Sequence, residues 1–119
     1  MKRILIIDDN QDVADIFAQL VDILGYQSEI AHDVPEGLSL ALSWKPQLVL
    51  CDLGLPGDGL EFARACKRDA VLKDIKLIAV SGYSAAKDKQ AALDAGFDDL
   101  LAKPVEFATL QAICELACR

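Results

Sequence analysis

The sequence predicts an α/β fold in which a parallel sheet of five strands carries helices on both faces. Three observations support this. Short apolar runs alternate with segments of helical periodicity from one end of the chain to the other, which is the pattern of repeated strand-helix units. The runs are near-continuous, as expected for parallel strands covered on both sides, and do not alternate apolar with polar. Polar residues able to do chemistry follow four of the five runs directly.

The first run, Ile4-Leu5-Ile6-Ile7, is rich in β-branched residues and ends in the acidic pair Asp8-Asp9. Val13, Ile16, Phe17, Leu20, Val21 and Leu24 then recur at helical spacing, and Gly25 stands where a left-handed cap would close a helix over residues 11–24. Residues 27–31 read as a second strand. Pro35 suits the first turn of the next helix, Leu38, Leu40, Ala41 and Leu42 follow it, and Pro46 ends it.

Leu48-Val49-Leu50-Cys51 is a third strand leading to Asp52, and Gly54, Pro56, Gly57 and Gly59 make the following segment a loop. Residues 60–67 are helical by spacing. Leu77-Ile78-Ala79-Val80 is a fourth strand leading to Ser81, and residues 85–95 form a helix closed by Gly96. A short fifth strand over 99–102 precedes Lys103-Pro104, and residues 106–117 carry the last helix with Phe107, Leu110, Ile113 and Leu116 turned inward. Consecutive units of this kind join by right-handed crossovers, and ligands of such open sheets bind beyond the carboxyl ends of the strands.

The chain has 119 residues, enough for one core, so residues 1–119 are read as a single domain. With 53% hydrophobic and 26% charged residues the composition is that of an ordinary globular protein. No apolar run nears the ~20 residues that span a bilayer, so no membrane role is expected. The opening Met1-Lys2-Arg3 leads into a strand, which does not resemble a signal peptide. Cys51, Cys66, Cys114 and Cys118 form no Cys-x-x-Cys pair and are expected to stay reduced, in line with a cytoplasmic location. A net charge of −7 argues against direct contact with nucleic acid.

On this reading Asp8, Asp9, Asp52, Ser81 and Lys103 share one edge of the sheet. Carboxylates gathered there repel one another, and the arrangement calls for a cation as well as the lysine. Mg²⁺ suits an open pocket of one or two carboxylates, retained waters and phosphate oxygens, and Mn²⁺ is the alternative ion. An aspartate is a known covalent acceptor of phosphoryl groups, and such transfer relies on positioning and charge neutralisation. Lys103 would supply a compact positive charge to the phosphate, and Ser81 a hydroxyl donor. Asp8 and Asp9 also suit a helix cap, a competing reading weakened by the register of Asp52 and Lys103.

Together the segments Ile7-Asp8-Asp9-Asn10, Asp52-Leu53-Gly54-Leu55-Pro56-Gly57, Val80-Ser81-Gly82-Tyr83 and Asp98-Asp99-Leu100-Leu101-Ala102-Lys103-Pro104 carry a resemblance. From end to end the chain resembles a two-component response-regulator receiver domain, similar to the chemotaxis regulators. The resemblance implies a flavodoxin-like doubly wound sheet of order 2-1-3-4-5. It implies that Asp52 accepts a phosphoryl group from the phosphohistidine of a sensor histidine kinase or histidine phosphotransfer protein. Asp9, Asp52 and the Gly54 carbonyl would bind Mg²⁺, with Asp8 helping through water. Ser81 would turn inward on phosphorylation and alter the face made by the fourth helix, fifth strand and fifth helix, where an output partner or domain binds. Lys103-Pro104 resembles the family's lysine before a cis proline, and Asn10, Gly82 and Tyr83 are accessory candidates.

Two departures from the family pattern stand out. Leu100 occupies the place where many relatives carry an aromatic that couples to the switch. Pro56-Gly57-Asp58-Gly59 is one residue shorter than the usual loop. Two other functions compete: a metal-dependent aspartyl phosphatase, and an interaction module that signals without phosphate. Such phosphatases usually place a second aspartate two residues after the nucleophile, where this chain has Gly54. His32 is assigned no role, and Cys114 and Cys118 read as filler, since two thiols make a poor zinc site. The sequence leaves a stand-alone regulator and a receiver cut from a larger regulator or hybrid kinase equally open.

Overall fold

The computed structural model describes residues 2–55, 59–82 and 85–118, without the side chains of 85–87. The elements follow in the order β1 (Arg3–Ile7), α1 (Gln11–Ile23), β2 (Gln27–Ala31), α2 (Val34–Trp44), β3 (Leu48–Asp52), α3 (Gly59–Arg68), β4 (Lys76–Ser81), α4 (Ala85–Ala95), β5 (Asp99–Ala102) and α5 (Phe107–Ala117). All strand pairings are parallel and the sheet order is β2-β1-β3-β4-β5. The chain thus winds outward from β1 in both directions, in the order the resemblance implied.

Successive residues of a strand face opposite sides of a sheet, so each central strand feeds two cores. Leu5, Ile7, Val49, Cys51, Leu77 and Ala79 face Ala41 of α2, Phe62, Ala63 and Cys66 of α3, and Ala92 of α4. Ile4, Ile6, Leu48, Leu50, Ile78 and Val80 face Ala14, Phe17 and Val21 of α1 and Leu110 and Cys114 of α5. Burial on both sides explains why these strands read as continuous apolar runs.

Local chemistry sets the helix ends. The side chain of Asn10 accepts the Val13 N–H at 3.2 Å and opens α1, and Asp33 accepts the Glu36 N–H at 2.9 Å and opens α2. Gly25 (φ 94°) closes α1, with Tyr26 N–H returning to the Val21 carbonyl, and Gly96 (φ 121°) closes α4 with Phe97 N–H returning to Ala92.

The structure departs from the sequence reading in a few places. Phe107 and Leu116 are exposed, so only Leu110 and in part Ile113 turn inward among the four apolar residues assigned to the inner face of α5. Glu106, read as helical, stands just before α5 at the N-cap position, with no capping hydrogen bond from its side chain. Ile16 of α1 also faces outward. Gly59, read as loop, is the first residue of α3 and is buried. The shortened loop at Pro56, Gly57 and Asp58, and the accessory candidate Tyr83, lie outside the described residues.

Gly59 positions the end of β3. A Cβ there would lie 2.9 Å from the Asp52 carbonyl oxygen and 3.1 Å from the Leu53 Cα. Backbone atoms cannot rotate away, so a methyl group would have to push the segment that carries Asp52. Gly59→Ala is therefore expected to lower stability by about 1–3 kcal/mol through overpacking. That loss exceeds the helix-propensity gain of roughly 1 kcal/mol or less. A urea midpoint at or above that of the unsubstituted protein would contradict it.

Candidate functional site

Parallel pairing ends the strands at one edge, and the backbone ladder continues into the residues just past those ends. Asp8 N–H donates to the Ala31 carbonyl at 3.0 Å, Leu53 N–H to Val80 at 2.9 Å, and Lys103 N–H to Ser81 at 2.7 Å. Asp52 is the last residue of β3 and pairs in register with Val80, while Ser81 closes β4 opposite Ala102. The polar residues at this edge are thus held by main-chain hydrogen bonds as firmly as the strands themselves.

The carboxylates of Asp8, Asp9 and Asp52 offer oxygen atoms that all lie within 4.8 Å of one another. Asp8 and Asp52 are buried and Asp9 is exposed. Lys103 Nζ stands 3.6 Å from Asp8 Oδ2 and 3.6 Å from Asp52 Oδ1, so one ammonium is shared between two buried carboxylates. Backbone donors pin the two buried acids: Asn10 N–H reaches Asp8 Oδ1 at 2.9 Å, and Gly54 N–H reaches Asp52 Oδ1 at 3.0 Å.

Burial pushes the Asp8 carboxyl above its ordinary pKa, and the neighbouring charges of Asp52 and Asp9 push the same way, against the Asn10 N–H and the Lys103 ammonium. The cluster therefore carries more negative charge than its lysine balances. A hard divalent cation with oxygen ligands fits this donor set by charge and spacing.

Asp52 opens on a cavity of about 350 Å³ lined also by Leu53, Gly54, Ser81, Gly82, Asp88 and Lys103. Ser81 is buried, and its Oγ donates to Asp88 Oδ2 at 2.8 Å. An apolar groove of about 550 Å³ runs alongside, lined by Val13, Ile16, Phe17, Leu20, Pro104 and Val105, and shares Gly82 and Lys103 with the cavity.

Of the residues the sequence singled out, Asp8, Asp9, Asp52, Gly54, Ser81, Gly82 and Lys103 come together here. Asn10 serves as the cap of α1 and supports Asp8 through its N–H. The Lys103-Pro104 bond is cis, and Pro104 lines the groove. Leu100 is half-buried, paired with Ala79, and packs on the α2–α4 side of the sheet. His32 bonds Glu36 at 3.0 Å and the Gln11 side chain, outside the carboxylate cluster. Cys114 and Cys118 are buried, and burial lifts the Cys114 thiol to about 12, which makes it unreactive. Sequence reasoning missed Asp88, since a surface-type Asp-Lys-Gln stretch in a helix has no local signal of a cavity wall.

Fold and site together define a class: a doubly wound α/β domain whose acidic, lysine-bridged pocket opens at the carboxyl edge of the sheet. The response regulator receiver domain family matches residues 4–115, and the chain belongs to that family. Among its relatives, the KDP operon transcriptional regulatory protein KdpE of Escherichia coli K12 is 38% identical over 120 residues, covering 100% of this chain and 52% of KdpE. The phosphate regulon transcriptional regulatory protein PhoB of Pseudomonas aeruginosa is 34% identical over 104 residues, covering 87% of this chain and 45% of PhoB. This chain thus spans about half the length of these regulators. A CheY-like receiver domain protein from Methanospirillum hungatei superposes with a TM-score of 0.87 at 32% identity, covering 99% of this chain and 94% of that one. The chain is thus a response-regulator receiver domain by fold and by family.

The raised pKa of Asp8 gives a stability prediction. An acid that holds its proton more tightly when folded contributes stability at low pH, and that contribution is lost as pH rises through the folded pKa. At pH 7 without divalent ions the ionised Asp8 is therefore a net liability. Asp8→Asn is expected to raise Tm there by about 4 °C, and the gain should shrink as pH falls through the folded pKa and be gone by about pH 4. A lower Tm than the unsubstituted protein at pH 7 would contradict the electrostatic account.

Proposed function

We propose that Asp52 is the phosphoacceptor and that the donor is a phosphohistidine on a histidine kinase or histidine phosphotransfer protein. The observation that carries this is the Asp52 carboxylate, facing a cavity and set 3.6 Å from Lys103 beside two further acids. In the transfer, a carboxylate oxygen of Asp52 forms a bond to phosphorus as the P–N bond breaks. The electron pair stays on the imidazole nitrogen, and the ring keeps its other proton and leaves neutral. Lys103 neutralises charge on the phosphoryl oxygens, and Gly54 N–H holds Asp52 in place.

Asp8, Asp9, Asp52 and the Gly54 carbonyl would hold Mg²⁺, or Mn²⁺ in its place, and the ion would supply charge neutralisation for the transferring group. Water entering the same pocket would later hydrolyse the aspartyl phosphate, so the domain assists both its own phosphorylation and dephosphorylation without acting on a separate substrate. The aspartyl-phosphatase alternative is disfavoured by Gly54, which has no side chain to serve as the second acid.

Gly82 and Lys103 line both the cavity at Asp52 and the apolar groove along α1. We infer that the donor protein packs along that groove. Output passes through α4, β5 and α5, where Leu93, Phe107 and Leu116 are exposed. Residues 1–119 act as one receiver unit in the cytoplasm, with no direct contact to nucleic acid or membrane. No helix among the described residues is long and apolar enough to cross a membrane.

With Mg²⁺ and acetyl phosphate, intact mass should show one added phosphoryl group on the unsubstituted protein and none on Asp52→Ala. Equal modification of both would remove Asp52 as acceptor. Asp9→Ala should lose Mg²⁺ binding while His32→Ala retains it; identical Mg²⁺ titrations of these two variants would refute the metal site.

A further inference from the structure

Ser81 has one hydroxyl proton, and a carboxylate can only accept. The 2.8 Å contact therefore commits that proton to Asp88 Oδ2. Asp88 lies in the first turn of α4, where the helix dipole favours negative charge, and it walls the same cavity as Asp52 and Lys103. One hydroxyl proton makes only one strong, near-linear hydrogen bond at a time. For Ser81 to donate to an oxygen of a phosphoryl group on Asp52, its bond to Asp88 must first break.

We propose that Asp88 is a latch on Ser81 that opposes phosphorylation of Asp52 and links the acceptor to the first turn of α4. The latch rests on Asp52 being the phosphoacceptor. Two physical effects act together. Charge-assisted hydrogen bonds are about twice as strong as neutral ones, so releasing Ser81 has a cost. A phosphoryl group brings about −1.5 to −2 charge into the cavity, so the released Asp88 carboxylate is repelled from it. Repulsion moves the first turn of α4 outward and carries the state of Asp52 to the α4 surface. This route needs no aromatic at position 100, where the chain has Leu100.

The test is a titration of the full chain with beryllofluoride and Mg²⁺, read by fluorine NMR of the bound probe, on the unsubstituted protein, Asp88→Ala, Ser81→Ala and the double variant. Removing the latch should lower the half-saturating concentration about tenfold in Asp88→Ala, equivalent to about 1.4 kcal/mol. In the Ser81→Ala background the same substitution should change it by less than about threefold, because the bond is already absent. Asp88→Asn, which keeps the size of the side chain, should shift in the same direction by a smaller factor.

The latch is overturned if Asp88→Ala titrates like the unsubstituted protein, if either Asp88 variant binds more weakly, or if the full tenfold gain persists without Ser81. If the unsubstituted protein and every variant fail to bind, Asp52 is not the acceptor and the latch falls with it. Binding by the unsubstituted protein with no effect of Asp88 would overturn the latch alone.

Discussion

Parallel pairing obliges every strand of the sheet to end at the same edge, and the rest of the structure depends on that constraint. The ladder continues through Asp8, Leu53 and Lys103, so polar groups from distant parts of the chain are fixed at one height by backbone hydrogen bonds. The buried apolar faces on either side then keep the strands from slipping, because a shift of one residue would exchange the two cores. The site is precise because its supports are the most buried parts of the molecule.

That precision stores an electrostatic conflict. Two buried carboxylates share one lysine beside an exposed third acid, and burial already disfavours the ionised form of Asp8. A protein selected for stability alone would place apolar residues there, since buried ion pairs rarely repay their desolvation. In the proposed function a cation would relieve the conflict, and the oxygens of an incoming phosphoryl group would find a ready positive charge in Lys103. Stability given up at the sheet edge would then become driving force for binding.

Two residues connect the site to the helices around it. Gly59 lets the start of α3 press against the Asp52 carbonyl, so the backbone of Asp52 has no slack. Asp88 reaches from α4 to the Ser81 hydroxyl, so the cavity and the helix share a bond. Leu100, packed on the same side of the sheet, offers an aliphatic surface to any movement between them.

By itself the sequence determined the order and type of the elements, the doubly wound architecture and the principal polar residues at the sheet edge. It could do so because apolar runs, caps such as Asn10 and Gly25, and the position of a residue after a strand are local features. Strand ends were less legible: Asp52 and Ser81 belong to the strands although they add no apolar signal, since their pairing depends on the neighbouring strand. The resemblance supplied the strand order. Only the tertiary structure decided that Phe107 and Leu116 face outward, because α5 contacts the sheet along one narrow stripe. The same is true of Gly59 beneath Asp52 and of Asp88 against Ser81. Those contacts join residues by their placement in space, and no period or motif along the chain encodes them.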